Sequence, residues 1–257
     1  MPRGPQRYFA RALSRPRAKL HALHKAGQLS DGGHSMSLNV VIDLSHFNNV
    51  TDFNAVKAAG IVGVIHKATE GTGYVDPKYA MHRSQATAAG LWWGAYHFAT
   101  GDDARAQADY FLSIVKPGPQ DLLVLDFEQN QQGASMTLAG AEQFVTEVEQ
   151  ALGRWPGFYS GSYVKQLLGA NKSAPLANCW FWLSEYGPVA HVPANWPTWT
   201  MWQYTDGNFG PEPHSVPGVG NCDRDQFNGD MDALSRLWGR ATAQPQPSES
   251  DVSAAQD

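Results

Sequence analysis

The sequence is short of cysteine: its 257 residues contain two, Cys179 and Cys222, in neither a CxxC pair nor a metal-ligand spacing. That excludes a disulfide-dense scaffold and a zinc-ribbon class; the two read as buried thiols, with a single disulfide between them left open. No apolar run is long enough to cross a bilayer, so no membrane span is expected. No HExxH-type histidine motif occurs either, which leaves no metalloprotease signature and no metal or other cofactor to assign. Positive charge is scarce outside one segment. Residues 1 to 35 hold seven Arg and Lys and one acid, Asp31, which leaves twelve basic and twenty-three acidic residues elsewhere, a net of −11 against −5 for the whole chain. So acidic a body argues against a nucleic-acid-binding surface and says nothing against neutral sugars.

The basic leader, residues 1–36, has no continuous apolar core and no small-residue cleavage site, so no secretory signal is recognised in it. It reads as a disordered basic arm or as sequence ahead of a start at Met36, with a short amphipathic surface helix as the alternative. Residues 241–257, small, polar and proline-bearing, read as a disordered tail. Between them, residues 37–240 are expected to form one catalytic domain. At 42% hydrophobic and 11% aromatic, the chain can bury a core of barrel size.

What is present begins with "LLVLDFEQN", residues 122–130. Four apolar residues predict a buried strand, and Asp126 and Glu128, two apart, then point the same way at its end. Partial burial and mutual repulsion should raise at least one of their pKa values, a cost that a catalytic pair justifies better than a solvated loop does. Further strands are expected at "NVVIDL", "IVGVIHKA", "LWWGAYHF", "GFYSG", "CWFWLS" and "TWTMWQY", with a short eighth near Cys222. Alanine-rich stretches at helical spacing lie between the first four and follow the fourth. Alternation of strand and helix implies parallel strands with crossover helices. The fold class is therefore α/β, a single irregular TIM-like (β/α) barrel with helices reduced in the C-terminal half.

Barrels of this kind carry their chemistry at the C-terminal ends of the strands. Asp43, Lys67 with Glu70, Tyr96 with His97, Asp126 with Glu128, and Gln203 with Tyr204 all fall there, and Asp223 belongs to the last short strand. Convergence of polar residues on one end of successive strands points to an active site. Taken singly, His97 reads equally as a satisfied barrel-mouth histidine and Lys67 as a neutraliser of nearby acids. Nine Trp and nine Tyr, many near strand ends, offer faces on which sugar rings stack, although core packing accounts for most of them. Paired carboxylates with aromatics and no Cys or His cluster suggest glycoside hydrolysis.

The segments "VIDLSHFN", "HKATEGTGYVDPKY", "AAGLWWGAYHF", "LLVLDFE", "WFWLSEYG", "WTMWQYTDG" and "VPGVGNCDRDQFNGD", in this order, resemble the glycoside hydrolase 25 lysozymes, the Chalaropsis-type muramidases, from about Asn39 to Trp238. The resemblance implies Glu128 as catalytic acid, Asp126 as its partner, and Asp43 and Asp223 as further active-site carboxylates. It implies Tyr74, Tyr96 and Trp202 in the sugar cleft, and their strand-end positions make Glu70 and Gln203 further candidate substrate contacts. The substrate it implies is bacterial cell-wall peptidoglycan, cut at the β-1,4 bond after N-acetylmuramic acid by a monomer acting at the wall or extracellularly. The family often has Gln where Asn48 stands, Asn where His82 stands, and an apolar residue where His66 stands. Two rival classes are a non-catalytic sugar-binding barrel, which has no need of Asp126 and Glu128, and a metal-dependent hydrolase or deacetylase built on Asp43, Asp126 and His97.

Overall fold

The computed structural model describes residues 37–240; the readings of residues 1–36 and 241–257 lie outside the described residues. In chain order the elements are β1 (Ser37–Leu44), α1 (Phe53–Ala58), β2 (Gly63–Glu70), β3 (Tyr74–Val75), α2 (Tyr79–Ala88), β4 (Trp92–Phe98), α3 (Ala104–Val115), β5 (Leu122–Asp126), α4 (Leu138–Leu152), β6 (Gly157–Ser160), α5 (Ser162–Leu168), α6 (Ala174–Asn178), β7 (Trp180–Ser184), β8 (Met201–Thr205), β9 (Ser215–Val216), β10 (Gly220–Asn221), β11 (Asp223–Asn228) and α7 (Met231–Leu237). The sheet runs β1-β11-β8-β7-β6-β5-β4-β2, and β2 pairs back to β1, so eight strands close into a barrel. Among the described residues no helix is long and apolar enough to cross a membrane.

The local causes are readable. Every residue of β5, "LLVLD", is buried, as a barrel strand covered on both sides requires. On α3, Ala104, Ala108, Phe111 and Val115 recur at helical spacing and are buried, and Asp103 caps the start by accepting from Ala106 N at 2.8 Å. On α4, Thr137 caps the first turn, and Gly153 ends the helix at φ +67°, where a side chain would be strained.

Two apolar layers result. The inner one fills the barrel with residues such as Val41, Ile65, Val124, Met201 and Phe227, while the larger outer one lies between strands and helices. Residues Leu234 and Trp238, on and just after α7, belong to the inner layer. The indole Nε1 of Trp238 donates to Trp93 O at 2.9 Å, and its ring lies 2.8 Å from where a Cβ on Gly63 would be, so Gly63 must lack one. Trp238 thus stoppers the end of the barrel where β2 begins, and the cavity opens at the other.

One expectation needs correction. The last strand, β11, runs antiparallel to both β1 and β8, not parallel. The link from β8 to β11 holds the small β9–β10 hairpin and no crossover helix, and an antiparallel return needs none. The reversal puts the start of β11, rather than its end, at the open mouth.

Candidate active site

The strand alternation aims the acids inward. Asp126 is the last residue of β5; the chain stays extended beyond it, since Phe127 N donates to Tyr159 O at 2.9 Å and Ser160 Oγ donates to Phe127 O at 2.6 Å. Phe127 therefore packs into the outer layer, and its neighbours Asp126 and Glu128 both line a cavity of about 250 Å³ at the barrel mouth. Asp43 on β1 sits opposite Asp223 on β11 as a Cα partner, and both line the same cavity. Four of the expected carboxylates are brought together.

Burial is the main electrostatic force on all of them. It raises Asp43, whose neighbours Asp223 and Asp225 raise it further while a hydrogen bond from Gln203 lowers it. Burial, then the charge of Glu128, pushes Asp126 well above the ordinary carboxylate range, with Lys67 pulling the other way. Burial raises Glu128, and burial with Asp206 pushes Asp223 up to about 7. Asp126 Oδ1 is buried and finds no hydrogen-bond partner among the described residues.

Gln203 organises the wall between Asp43 and two tyrosines. Its Nε2 donates to Asp43 Oδ2 at 2.7 Å, and its Oε1 accepts from Tyr159 Oη at 2.8 Å and Tyr186 Oη at 3.0 Å. With its proton given to Gln203, Tyr159 accepts from Ser184 Oγ at 2.9 Å. The amide orientation is thus fixed from both ends. Tyr96 also lines the cavity, half-buried, with its phenol pushed well up by desolvation.

An adjoining groove of about 530 Å³ shares Phe47, Lys67, Phe98 and Glu128 with the cavity and adds Glu70, Tyr74 and the loop Gln129–Gln132. Phe47 stands 85% exposed on its rim. Its loop is anchored by Asp76, which is buried and accepts from His46 N at 2.8 Å.

Trp202 is the misplaced residue. Because Gln203 points into the barrel, its neighbour Trp202 points out: it is buried in the outer layer and donates through Nε1 to Glu185 O at 2.7 Å. Tyr204 faces outward for the same reason and donates to Pro213 O at 3.1 Å. His97 likewise points away from the acids, stacked on Phe144 with its ring nitrogens on Thr69 and Gln107, so the metal triad of Asp43, Asp126 and His97 is not assembled. Cys179 and Cys222 are buried free thiols.

The sequence reading missed Tyr159, Tyr186, Trp182 and Asp225. The inward face of β11 carries Asp223 and Asp225 two apart, the same spacing that singled out Asp126 and Glu128. Asp225 is fully buried and accepts from Trp182 Nε1 at 2.8 Å. Tyr159 and Trp182 alternate with the outer-layer Phe158 and Phe181, so strand phase alone would have found them.

Residues 42–212 match the family model described as Glycosyl hydrolases family 25. Lysozyme M1 of Streptomyces globisporus is 33% identical over 212 residues, covering 76% of this chain and 70% of that protein. The N,O-diacetylmuramidase of Chalaropsis sp is 28% identical over 213 residues, covering 76% of this chain and 96% of its own length. Among solved structures, the bacterial lysozyme from Streptomyces coelicolor superposes with a TM-score of 0.70 at 31% identity, over 81% of this chain and all of that one.

Proposed function

The chain belongs to glycosyl hydrolases family 25, and from that premise we propose that its cleft cuts the β-1,4 bond after N-acetylmuramic acid in bacterial peptidoglycan. It is a glycoside hydrolase of the lysozyme type, with catalysis carried by residues 37–240. The observation that carries the residue assignment is the pair at the end of β5: a buried Asp126 and a partly buried Glu128 in one cavity, the first with an oxygen that no group among the described residues satisfies.

Glu128, whose carboxyl burial pushes up from its ordinary range, is the general acid. Asp126 turns its unpartnered Oδ1 to the 2-acetamido N–H of the muramic acid. The acetamido oxygen attacks the anomeric carbon as the glycosidic C–O bond breaks, and the proton of Glu128 passes to the leaving oxygen. The ring so formed carries positive charge, which the Asp126 carboxylate stabilises. Glu128, now a carboxylate, takes a proton from water; that water bonds to the anomeric carbon and expels the acetamido oxygen. Side-by-side acids suit this route better than ordinary double displacement, which needs carboxyls ~5 Å apart on opposite faces of the bond. Tyr74, Glu70 and Phe47 border the groove into which the glycan continues.

Digestion of purified peptidoglycan followed by mass analysis tests the assignment. New reducing ends on N-acetylmuramic acid are expected; reducing ends on N-acetylglucosamine, or none, overturn it. NMR immediately after cleavage separates the routes. A β-anomer first supports substrate assistance, whereas an α-anomer first means inversion and moves the base to Asp43 or Asp223, which line the same cavity.

A further inference from the structure

The groove beside the cavity has one wall of unusual construction. Phe47 is 85% exposed there, yet the loop that carries it is tightly held. Asp76, buried just after β3, accepts from His46 N at 2.8 Å, from His46 Nδ1 at 3.0 Å and from Lys78 N at 2.9 Å. Lys78 Nζ donates to Asn48 O at 2.8 Å, and Asn48 Oδ1 accepts from Ser45 N at 2.9 Å. Phe47 is thus pinned through both chain neighbours, and its ring packs on that of His46, 4.0 Å between centroids. A phenylalanine that solvent merely tolerated would not need a buried carboxylate to fix its loop; what is fixed is an apolar face held open. Because a carboxylate only accepts, the His46 proton sits on Nδ1 and leaves Nε2 as an acceptor. That nitrogen bonds to none of the described residues, and His46 lines the groove.

Across β2 and β4 the other wall is the loop Gln129–Gln132. Its turn is closed by Asn130, whose Oδ1 accepts from Gln132 N at 2.9 Å and whose N donates to Ser135 Oγ at 2.9 Å. The lining between the walls carries Lys67 and Glu70. The register of β2 against β4 slips between Lys67 and Thr69, so Ala68 is the extra residue of a bulge, and Lys67 and Glu70 meet at 2.6 Å. The rings of Phe98 and Tyr74 flank the Lys67 ammonium, 4.8 and 5.5 Å from it at their centroids. Lys67 is therefore matched by Glu70, and no other Lys or Arg among the described lining residues is left to hold an anionic ligand.

We propose that this groove is the subsite of the leaving N-acetylglucosamine, whose ring lies on Phe47 and which donates a hydroxyl or amide hydrogen to His46 Nε2. This rests on the reading of Asp126 and Glu128 given above. Two observations select this sugar over the muramic acid. The cavity is lined by both members of the pair, whereas the groove of about 530 Å³ touches Glu128 and not Asp126. Asp126 takes the acetamido group of the muramic acid and Glu128 protonates the oxygen that leaves, so the muramic acid belongs in the cavity and the groove begins where the departing sugar begins. Charge agrees with position. The lactyl arm of muramic acid ends in a carboxylate or an acidic peptide, which a groove bordered by Glu70 and Glu128 repels, while N-acetylglucosamine is neutral and offers the apolar face and the donors that these walls lack.

Saturation-transfer NMR on the full chain, with the methyl β-glycosides of N-acetylglucosamine and of N-acetylmuramic acid as separate probes, tests the subsite without turnover. Phe47→Ala should weaken the N-acetylglucosamine signal more than the N-acetylmuramic acid one, Phe47→Trp should keep it, and His46→Phe should weaken it by removing the acceptor. Phe47 is so exposed that its variants keep the test alive if His46→Phe fails to fold. On a soluble glycan of two disaccharide repeats, Phe47→Ala should lower kcat/KM about 3- to 10-fold, the size of one lost aromatic contact, and Phe47→Trp should restore it. An N-acetylglucosamine signal unchanged in Phe47→Ala or in a folded His46→Phe, or a Phe47→Ala loss as large for N-acetylmuramic acid, overturns the proposal. The mass analysis of reducing ends decides the cleaved bond separately, so the two readings fail independently.

Discussion

Glu128 and Asp126 are chemically alike and two residues apart, so their different roles must come from what surrounds each side chain. The proton of Glu128 is the quantity that catalysis consumes, and Glu128→Gln keeps shape while removing it. Activity on soluble glycan should drop by ~10²–10⁴-fold with an unchanged circular dichroism spectrum. Near-wild-type turnover would remove Glu128 from the acid role. Asp126→Asn should lose less, because an amide still orients the acetamido group but cannot offset its positive charge; kcat indistinguishable from wild type would take Asp126 out of the mechanism. At this scale the sequence was informative where it depended on strand phase and misleading where it did not. Asp43, Asp126, Glu128, Tyr96 and Gln203 are inward positions of strands recognisable from their apolar runs, and they line the cavity. Trp202 was carried over by resemblance alone, against the alternation that its neighbour Gln203 dictates, and it lies on the other face.

The elements show the same division between local pattern and long-range pairing. Helices α3 and α4 and the buried run of β5 are written in spacing and caps. By contrast, the reversed direction of β11 and the bulge at Ala68 exist only as register against another strand, which no single segment encodes. The bulge is nonetheless vulnerable to one distant residue. His66 Nδ1 donates to Lys67 O at 2.7 Å, and His66 Nε2 accepts from His82 Nδ1 at 2.9 Å. His82→Ala on α2 would leave buried His66 Nε2 without its donor, at a cost of about 1–3 kcal/mol, and His82→Asn, which can still donate, should lose less. Thermal melts check the order, and equal melting temperatures for the two variants would show that the bond between the histidines contributes nothing. Gly161, between β6 and α5, is constrained from the other side of the site: a Cβ there would lie 2.4 Å from Ser184 O, a backbone atom that cannot step aside. Gly161→Ala should destabilise by about 1–3 kcal/mol and, by displacing Ser184, disturb Tyr159 and Gln203 as well.

For the whole molecule, the buried acids make stability depend on pH in a direction opposite to that of an ordinary salt-bridged protein. Asp43, Asp126, Glu128, Asp223 and Asp225 all have folded pKa values raised above their unfolded ones, in each case with burial as the largest cause. A raised group binds more protons folded than unfolded; its contribution is fully present below the unfolded pKa and is lost as pH climbs through the folded one. His66 and His97 act in the reverse sense. Burial pushes both from 6.5 down to about 4, so across that interval the unfolded chain binds the extra protons and stability rises with pH. Below pH 6.5 the two groups of residues therefore oppose each other. Well above it the histidines are neutral in both states, and the carboxylates dominate, with the buried thiols of Cys179 and Cys222, also pushed up by burial, acting in the same sense. The melting temperature is expected to fall between pH 6.5 and 8.5, measured in one buffer series at constant ionic strength. Asp223, pushed up to about 7, titrates inside that window, so Asp223→Asn should flatten the decline. A melting temperature that stays level or rises over the same range would mean that the cleft acids ionise without cost, and that the cavity is better solvated than its closed walls imply.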